Sequence, residues 1–359
     1  MTMAPALKII EIGDKPFVKS AFPDETTYFS TAFVPHPADP KSGYQIVSAR
    51  TMPRLRQMLQ DESTSLIVCH PTFFSPWHWR WISRALFNRR TLQGHVPLVR
   101  AFGPQLLRGP VSAPIAVVDQ DDFPLINRGN LFLLDRCTAY FKRELPADRW
   151  RVFLKTAHAN LPSHRFRQHP RYTQRLAKLR PLSLGLPLGR DLSQMPAGVP
   201  KTSDIFFAGR VEASSWVRQT GFQELLALRE RGVIVDIPDK PLPPDEFYRR
   251  CASAWLTWSP EGYGWECFRH YEAPACGSVP VCNLPPLERH RPLVDGEHAV
   301  FYPVEPGGLT KAVIGALADK PRLARMAEAG RAFVMENHTP QALGAYIVEA
   351  TLAAARGER

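Results

Sequence analysis

Two glycines, an arginine and a glutamate between Gly262 and Glu272 carry the most specific chemical signal in this chain. They lie in Trp258-Ser-Pro-Glu-Gly-Tyr-Gly-Trp-Glu-Cys-Phe-Arg-His-Tyr-Glu-Ala-Pro-Ala-Cys-Gly-Ser-Val-Pro-Val-Cys282, which reads as strand, glycine loop, helix, glycine stop and strand. Gly262 and Gly264 let the loop backbone come close to a ligand. A helix leaving such a loop turns unpaired N–H groups and its positive dipole end onto it, which suits a diphosphate. Arg269 and Glu272 are three apart and share a helical face. A carboxylate so placed can accept hydrogen bonds from a ribose diol.

A second group of polar residues follows short apolar strands in the first half. Ile115 to Val118 runs into Asp119-Gln-Asp121-Asp122. Carboxylates at this spacing can hold a divalent metal on phosphates, cap the next turn, or take a proton from a hydroxyl. The C-terminal end of a strand in an open α/β sheet is where ligands bind, so Asp119 or Asp121 is expected as a general base, with no metal. His70, between a strand at 65–69 and Pro71, is a further candidate for catalysis or acceptor binding; a hydrogen-bonded loop histidine is the alternative. Trp77-His-Trp-Arg-Trp81 could stack on a sugar ring, although its helical spacing also suits a core. Lys142 and Arg143 either approach a diphosphate or end a strand in solvent.

These residues need a frame, and the chain has the length for one built of two domains: 359 residues, 44% hydrophobic, 22% charged. Strands are expected at 7–12, 44–48, 65–69, 97–101, 115–118 and 138–141, with helices at 52–61 and 76–88. After a proline-containing stretch at 181–203 a new series begins: strands at 205–208, 233–237, 254–258 and 278–282, helices at 217–231, 243–251, 266–276, 309–318 and 321–334. Thr339-Pro340 caps a last helix. Alternating strands and helices are the signature of parallel α/β units.

Bulk properties narrow the partners. No apolar run is long enough to span a bilayer, and the first residues do not read as a signal peptide, so a cytoplasmic protein is expected. The six cysteines contain no C-x-x-C pair, which argues against zinc, and reduced thiols are the default. The net charge of +11 is uneven: Arg149 to Arg180 holds nine Arg or Lys residues, three histidines and no acid. A solvated surface or a face for an anionic partner, such as a membrane headgroup, accounts for it. Nucleic acid is not expected, since no binding signature accompanies the charge.

The segment around Glu272 resembles the donor site of GT-B glycosyltransferases, in particular the "group 1" superfamily with family 4 and its spore-coat-type relatives. The matching residues are Gly262 and Gly264, Glu272-Ala273, and Ala275-Cys276-Gly277-Ser278-Val279-Pro280-Val281. Ser203-Asp-Ile-Phe-Phe-Ala-Gly-Arg210 is similar to the strand that opens the C-terminal domain there, and Asp295-Gly-Glu-His-Ala-Val-Phe-Tyr302 to a later strand. The resemblance covers about 203–350. It implies that Glu272 holds the nucleotide ribose, that Arg269 is the arginine of an Arg-x-x-Glu variant, and that Arg210, with Arg218 as a lesser partner, contacts phosphates. One departure stands out: family-4 enzymes carry a second glutamate eight positions before this one, and here that position is Gly264.

The expectation is therefore an α/β protein of GT-B fold, two Rossmann-like domains facing across a cleft. An acceptor-side domain spans 1–190, a nucleotide-sugar-binding domain 200–337, and 338–359 forms a helix returning to the first. The expected reaction moves a sugar from a nucleotide-diphosphate sugar to a hydroxyl of a glycan or glycolipid acceptor, in cell-surface polysaccharide or glycoconjugate synthesis. The donor is a substrate, and no cofactor or metal is expected. A peripheral contact with anionic lipid at the inner membrane face is the attendant localisation. The alternatives are a catalytically silent nucleotide- or glycan-binding protein of the same fold and a metal enzyme of the Asp-x-Asp kind.

Overall fold

The computed structural model describes residues 7–32, 42–72, 101–154, 169–196, 198–211 and 215–358. The tryptophan-rich segment at 76–88, residues 97–100 of one expected strand, and His158 and His164 lie outside them; residue 101 is itself helical. The chain divides into two compact units, Met1–Leu182 with Pro340–Arg359, and Ser183–Thr339.

The first unit is built on a seven-stranded parallel sheet. Its strands are β1 (Ile9–Gly13), β2 (Thr26–Ser30), β3 (Tyr44–Ile46), β4 (Leu66–Cys69), β5 (Ile115–Asp119), β6 (Ala139–Lys142) and β7 (Leu179–Pro181), ordered β3-β2-β1-β4-β5-β6-β7. β1, β4, β5 and β6 are buried at every residue, because helices cover both faces of a parallel sheet. That is why they read as apolar runs in the sequence. β2 and β7 were not expected. β2 is Thr-Thr-Tyr-Phe-Ser, whose polar content resembles a loop, yet Tyr28 inside it donates to the Gly13 carbonyl at 2.7 Å.

Helices α1 (Phe17–Ala21), α2 (Met52–Gln60), α3 (Leu131–Arg136) and α4 (Tyr172–Ala177) belong to this unit. So does the C-terminal helix, Pro340–Ala355, which packs on α1. A Cβ on Gly344 would lie 2.4 Å from Cβ of Ala21, so only glycine permits this approach. Tyr346 completes the seam, its ring edge-on to Phe141 and its hydroxyl donating to the Pro181 carbonyl at 3.2 Å.

The second unit holds a five-stranded parallel sheet in the order β12-β11-β10-β8-β9. Its strands are β8 (Ser203–Phe206), β9 (Val235–Asp236), β10 (Ala254–Trp258), β11 (Val279–Asn283) and β12 (Val300–Tyr302). Its helices are α5 (Trp216–Ala227), α6 (Pro244–Ala252), α7 (Arg269–Ala275), α8 (Gly308–Leu317) and α9 (Lys320–Asn337). Successive residues at the end of β8 point to opposite faces. Ile205 and Phe207 join one apolar core with Leu256 and Trp258, and Phe206 joins another with Ala273, Cys276 and Val334. Leu184, Leu186 and Met195 pack into this second core, so the stretch after Leu182 belongs to this unit.

α7 differs most from its expected form. It begins at Arg269, not at 266, and runs for 7 residues. Two of the three preceding residues turn polar groups elsewhere: the Glu266 side chain accepts from the Leu184 amide at 2.7 Å, and the Cys267 amide donates to Nδ1 of His270 at 3.2 Å. Pro274 inside the helix and Gly277 at φ 75° just beyond it keep it short.

Candidate functional site

In the first sheet the strand order reverses between β1 and β4, and the crevice beyond their C-terminal ends is where open α/β sheets bind ligands. Three chain segments meet there. Asp14 and Lys15 leave β1, His70 and Thr72 leave β4, and Asp119 to Asp121 close β5; with Asn127 and Asn130 they line a pocket that opens to solvent. Asn130 fixes the wall by donating from its amide to the Thr72 carbonyl at 2.9 Å.

His70 is held from behind by Glu11. Glu11 sits fully buried in β1, and its Oε1 lies 3.0 Å from Nε2 of His70. The same carboxylate accepts from the amides of Phe17 and Val18 at 2.9 Å each and of Lys19 at 2.8 Å, capping the start of α1. A carboxylate engaged by backbone donors can only accept, so the imidazole proton belongs on Nε2. Nδ1 then carries the lone pair, 3.9 Å from Oδ1 of Asp14 beside the cavity. Gly13 makes room for the ring: a Cβ there would lie 2.3 Å from Cδ2 of His70. Glu11 was missed as a site residue; its signal was a charge inside the apolar strand Ile9-Ile10-Glu11-Ile12.

The two aspartates expected as bases separate. Asp119 has three donors on its carboxylate: Oδ2 accepts from Tyr140 at 2.7 Å and from Nζ of Lys142 at 3.2 Å, and Oδ1 from the Asp121 amide at 3.1 Å. Its Oδ2 pairs with a fully buried lysine, so Asp119 is engaged within its own sheet while still lining the cavity. Asp121 keeps a titrating role, because burial and then the Asp119 charge push it up to about 6. Lys142 and Arg143, weighed above as diphosphate contacts, are instead paired within this unit, with Asp119 and Asp122 respectively. Part of the basic stretch is likewise engaged: Arg175 grips Asp135 through two bonds of 2.9 and 2.8 Å, and Lys178 donates to the Leu134 carbonyl at 2.8 Å.

In the second unit, Glu272 and Arg269 occupy the first turn of α7. Glu272 is 9% exposed, and Oε1 accepts from the hydroxyl of Tyr248, on α6, at 2.9 Å. Among the described residues no hydrogen bond reaches its Oε2. Burial raises this carboxyl above the ordinary glutamate range, while Tyr248, Arg269 and Arg190 act against the rise. Arg269 donates from Nη1 to the Ala208 carbonyl at 2.9 Å, with its guanidinium over the Phe207 ring. Its Nε and Nη2 are enclosed without an acceptor among the described residues. Each such donor costs about 1–3 kcal/mol until something accepts from it. The backbone next to it packs closely on the guanidinium: a Cβ on Gly209 would lie 2.9 Å from Nη1.

Arg218, at the start of α5, ties down the glycine loop. Nε donates to the Glu261 carbonyl at 2.9 Å, Nη1 to the Arg210 carbonyl at 3.1 Å, and Nη2 to Sγ of Cys267 at 3.2 Å. Gly262 lies directly on it, and a Cβ there would come within 2.7 Å of Nη2. Arg210 itself is exposed beside Gly209. Gly264 is buried, and its carbonyl accepts from the Gly262 amide at 2.9 Å. The loop therefore does not feed a helix directly. The amides of His270, Tyr271 and Glu272 bond back to Cys267 and Phe268, so an anion at this place would rely on Arg269 more than on a helix end. Glu261, three positions before the site of the missing family glutamate, is pushed up by burial and receives the Asn283 amide at 3.0 Å.

No family model matches the chain, and no curated relative does. Solved structures do. The Anabaena protein HepE in complex with UDP superposes with a TM-score of 0.53 at 12% identity, covering 96% of this chain and 99% of that one. Sucrose-phosphate synthase from Thermosynechococcus elongatus gives 0.55 at 10%, covering 98% and 100%. A glycosyltransferase from Rickettsia africae gives 0.54 at 8%, covering 99% and 100%. At such identities the likeness is one of fold, and together with the two parallel α/β units it identifies this chain as having the GT-B fold of glycosyltransferases.

Proposed function

We propose that the protein transfers a sugar from a nucleotide-diphosphate sugar to a hydroxyl of a glycan or glycolipid acceptor, as in the synthesis of cell-surface polysaccharide or glycoconjugate. The observation that carries this reading is the first turn of α7. One face of it presents a carboxylate with one oxygen unpartnered and a guanidinium with two unmet donors. A nucleoside diphosphate complements both, offering a ribose diol to Glu272 and phosphate oxygens to Arg269, with exposed Arg210 close in sequence to the Ala208 carbonyl that Arg269 holds.

The first unit supplies the hydroxyl chemistry. Nδ1 of His70 accepts the proton as the acceptor oxygen bonds to the anomeric carbon and the bond to the diphosphate breaks. Glu11 holds the ring in the required tautomer and stabilises the imidazolium that forms. Amide and carboxyl groups from Asn127, Asn130, Gln120 and Asp121 suit a polyhydroxyl acceptor. Charge on the departing diphosphate is met by Arg269, so turnover is expected to survive EDTA.

The test is a panel of UDP-, GDP- and TDP-sugars with nucleoside-diphosphate release as the readout, with and without EDTA. Slow release from one donor, together with about tenfold or weaker nucleotide affinity in Glu272→Ala, is the expected result. Unchanged affinity and turnover in Glu272→Ala would remove the nucleotide assignment, and tight binding without turnover on any acceptor would make the chain a binding protein.

A further inference from the structure

Tyr248 is not needed to fold α6 onto the sheet as tyrosine; phenylalanine would bury the same ring. Its hydroxyl nevertheless reaches Oε1 of Glu272 at 2.9 Å, and burial holds the phenol well above its ordinary pKa, so it remains a donor. The two carboxylate oxygens are thereby made unequal. Oε1 is pinned, whereas Oε2 is unpartnered and has two lone pairs to offer. Two vicinal hydroxyls can share a single oxygen held still in this way. A carboxylate free to rotate would lose that orientation on binding a ligand.

The surroundings distinguish this bond from an ion pair. Arg190 stands 5.9 Å over the Tyr248 ring and Arg269 lies on the same turn as Glu272, yet neither donates to the carboxylate. Two cations act on the carboxylate from nearby, and a neutral phenol is what bonds to it.

Resting on the nucleotide reading above, we propose that Tyr248 is a positioning residue: by fixing Oε1 of Glu272 it aims Oε2 at a vicinal diol, and so makes the site select ribonucleotides over nucleotides lacking the 2′ and 3′ hydroxyls.

Calorimetric affinities for UDP and 2′,3′-dideoxy-UDP, and for the matching guanosine pair, test this on the full chain. The wild type is expected to prefer the ribonucleotide about tenfold or more. Tyr248→Phe brings the ratio to about twofold by weakening the ribonucleotide alone, with dideoxy affinity as the control for an intact site. A wild-type ratio in Tyr248→Phe overturns the role of Tyr248. If Glu272→Gln also keeps that ratio, the ribose assignment of Glu272 fails; if Glu272→Gln abolishes it and Tyr248→Phe does not, only the positioning role fails. Should Tyr248→Phe lose dideoxy binding as well, Tyr248→His, which restores a ring donor, must recover the ratio or the proposal falls.

Discussion

Both oxygens of Glu11 are engaged, by three backbone amides and an imidazole, whereas two of the three guanidinium nitrogens of Arg269 are enclosed with no acceptor. The first arrangement is complete without a ligand. It fixes one ring in one tautomer and leaves a single lone pair beside a cavity, as a proton acceptor requires. The second is incomplete, and the missing part has the chemistry of an oxyanion. Satisfied groups prepare a reaction step, and unsatisfied ones store binding free energy for the molecule that completes them.

The largest effect expected from this contrast is on turnover. His70→Ala lowers kcat by about 10²–10⁴-fold while nucleoside-diphosphate affinity stays within about twofold of wild type. Initial rates and calorimetry on the same preparations check it; a parallel loss of affinity would erase the division of labour between the two regions.

Stability comes next. Glu11→Ala leaves three amides and an imidazole without their acceptor and is expected to cost about 3 kcal/mol or more. Arg269→Met removes an enclosed charge with two of its three nitrogens unmet, so the ligand-free protein should stay within about 1 kcal/mol of wild type or gain stability. The same variant should lose the rise in melting temperature that a nucleoside diphosphate gives the wild type. Urea midpoints and thermal shifts read both; a large destabilisation in Arg269→Met would show that its unmet donors are met by something else.

The smallest effect concerns Asp121. Its folded-state pKa of about 6 lies above the ordinary aspartate value, so the folded protein holds a proton that the unfolded chain gives up. Stability contributed by the protonated group is present at low pH and is lost as pH rises through that window. Asp121→Asn should flatten this slope between pH 4 and 7, with a melting temperature about 2–4 °C higher than wild type at the upper end. Equal slopes in the two proteins would place Asp121 in solvent.

How far the site was legible follows from the kind of signal each residue gives. Arg269 and Glu272 could be read together because helical spacing alone puts residues three apart on one face, and their helix, though shortened, preserves that spacing. His70 was legible as the residue after an apolar strand. Its partner Glu11 is 59 positions away on a neighbouring strand, and nothing local announces such a pairing. Asp119 and Asp121 look alike in the sequence and differ only through Tyr140 and Lys142, which β6 brings alongside. Arg218 appeared as a phosphate ligand for the same reason: that its nitrogens would hold three loop atoms was a matter of where the loop folds.

The order of residues along the chain determined the periodicities, the glycine positions and hence two α/β units with parallel sheets, since a strand buried on both faces must be apolar throughout and each return to the sheet needs a crossover. It also determined which side chains are chemically able to act. Only the tertiary structure decided which of them are free to. A carboxylate is a base, a cap or half of an ion pair according to the donors that reach it, and those donors come from strands and helices distant in sequence, as Lys142 does for Asp119 and Tyr248 for Glu272.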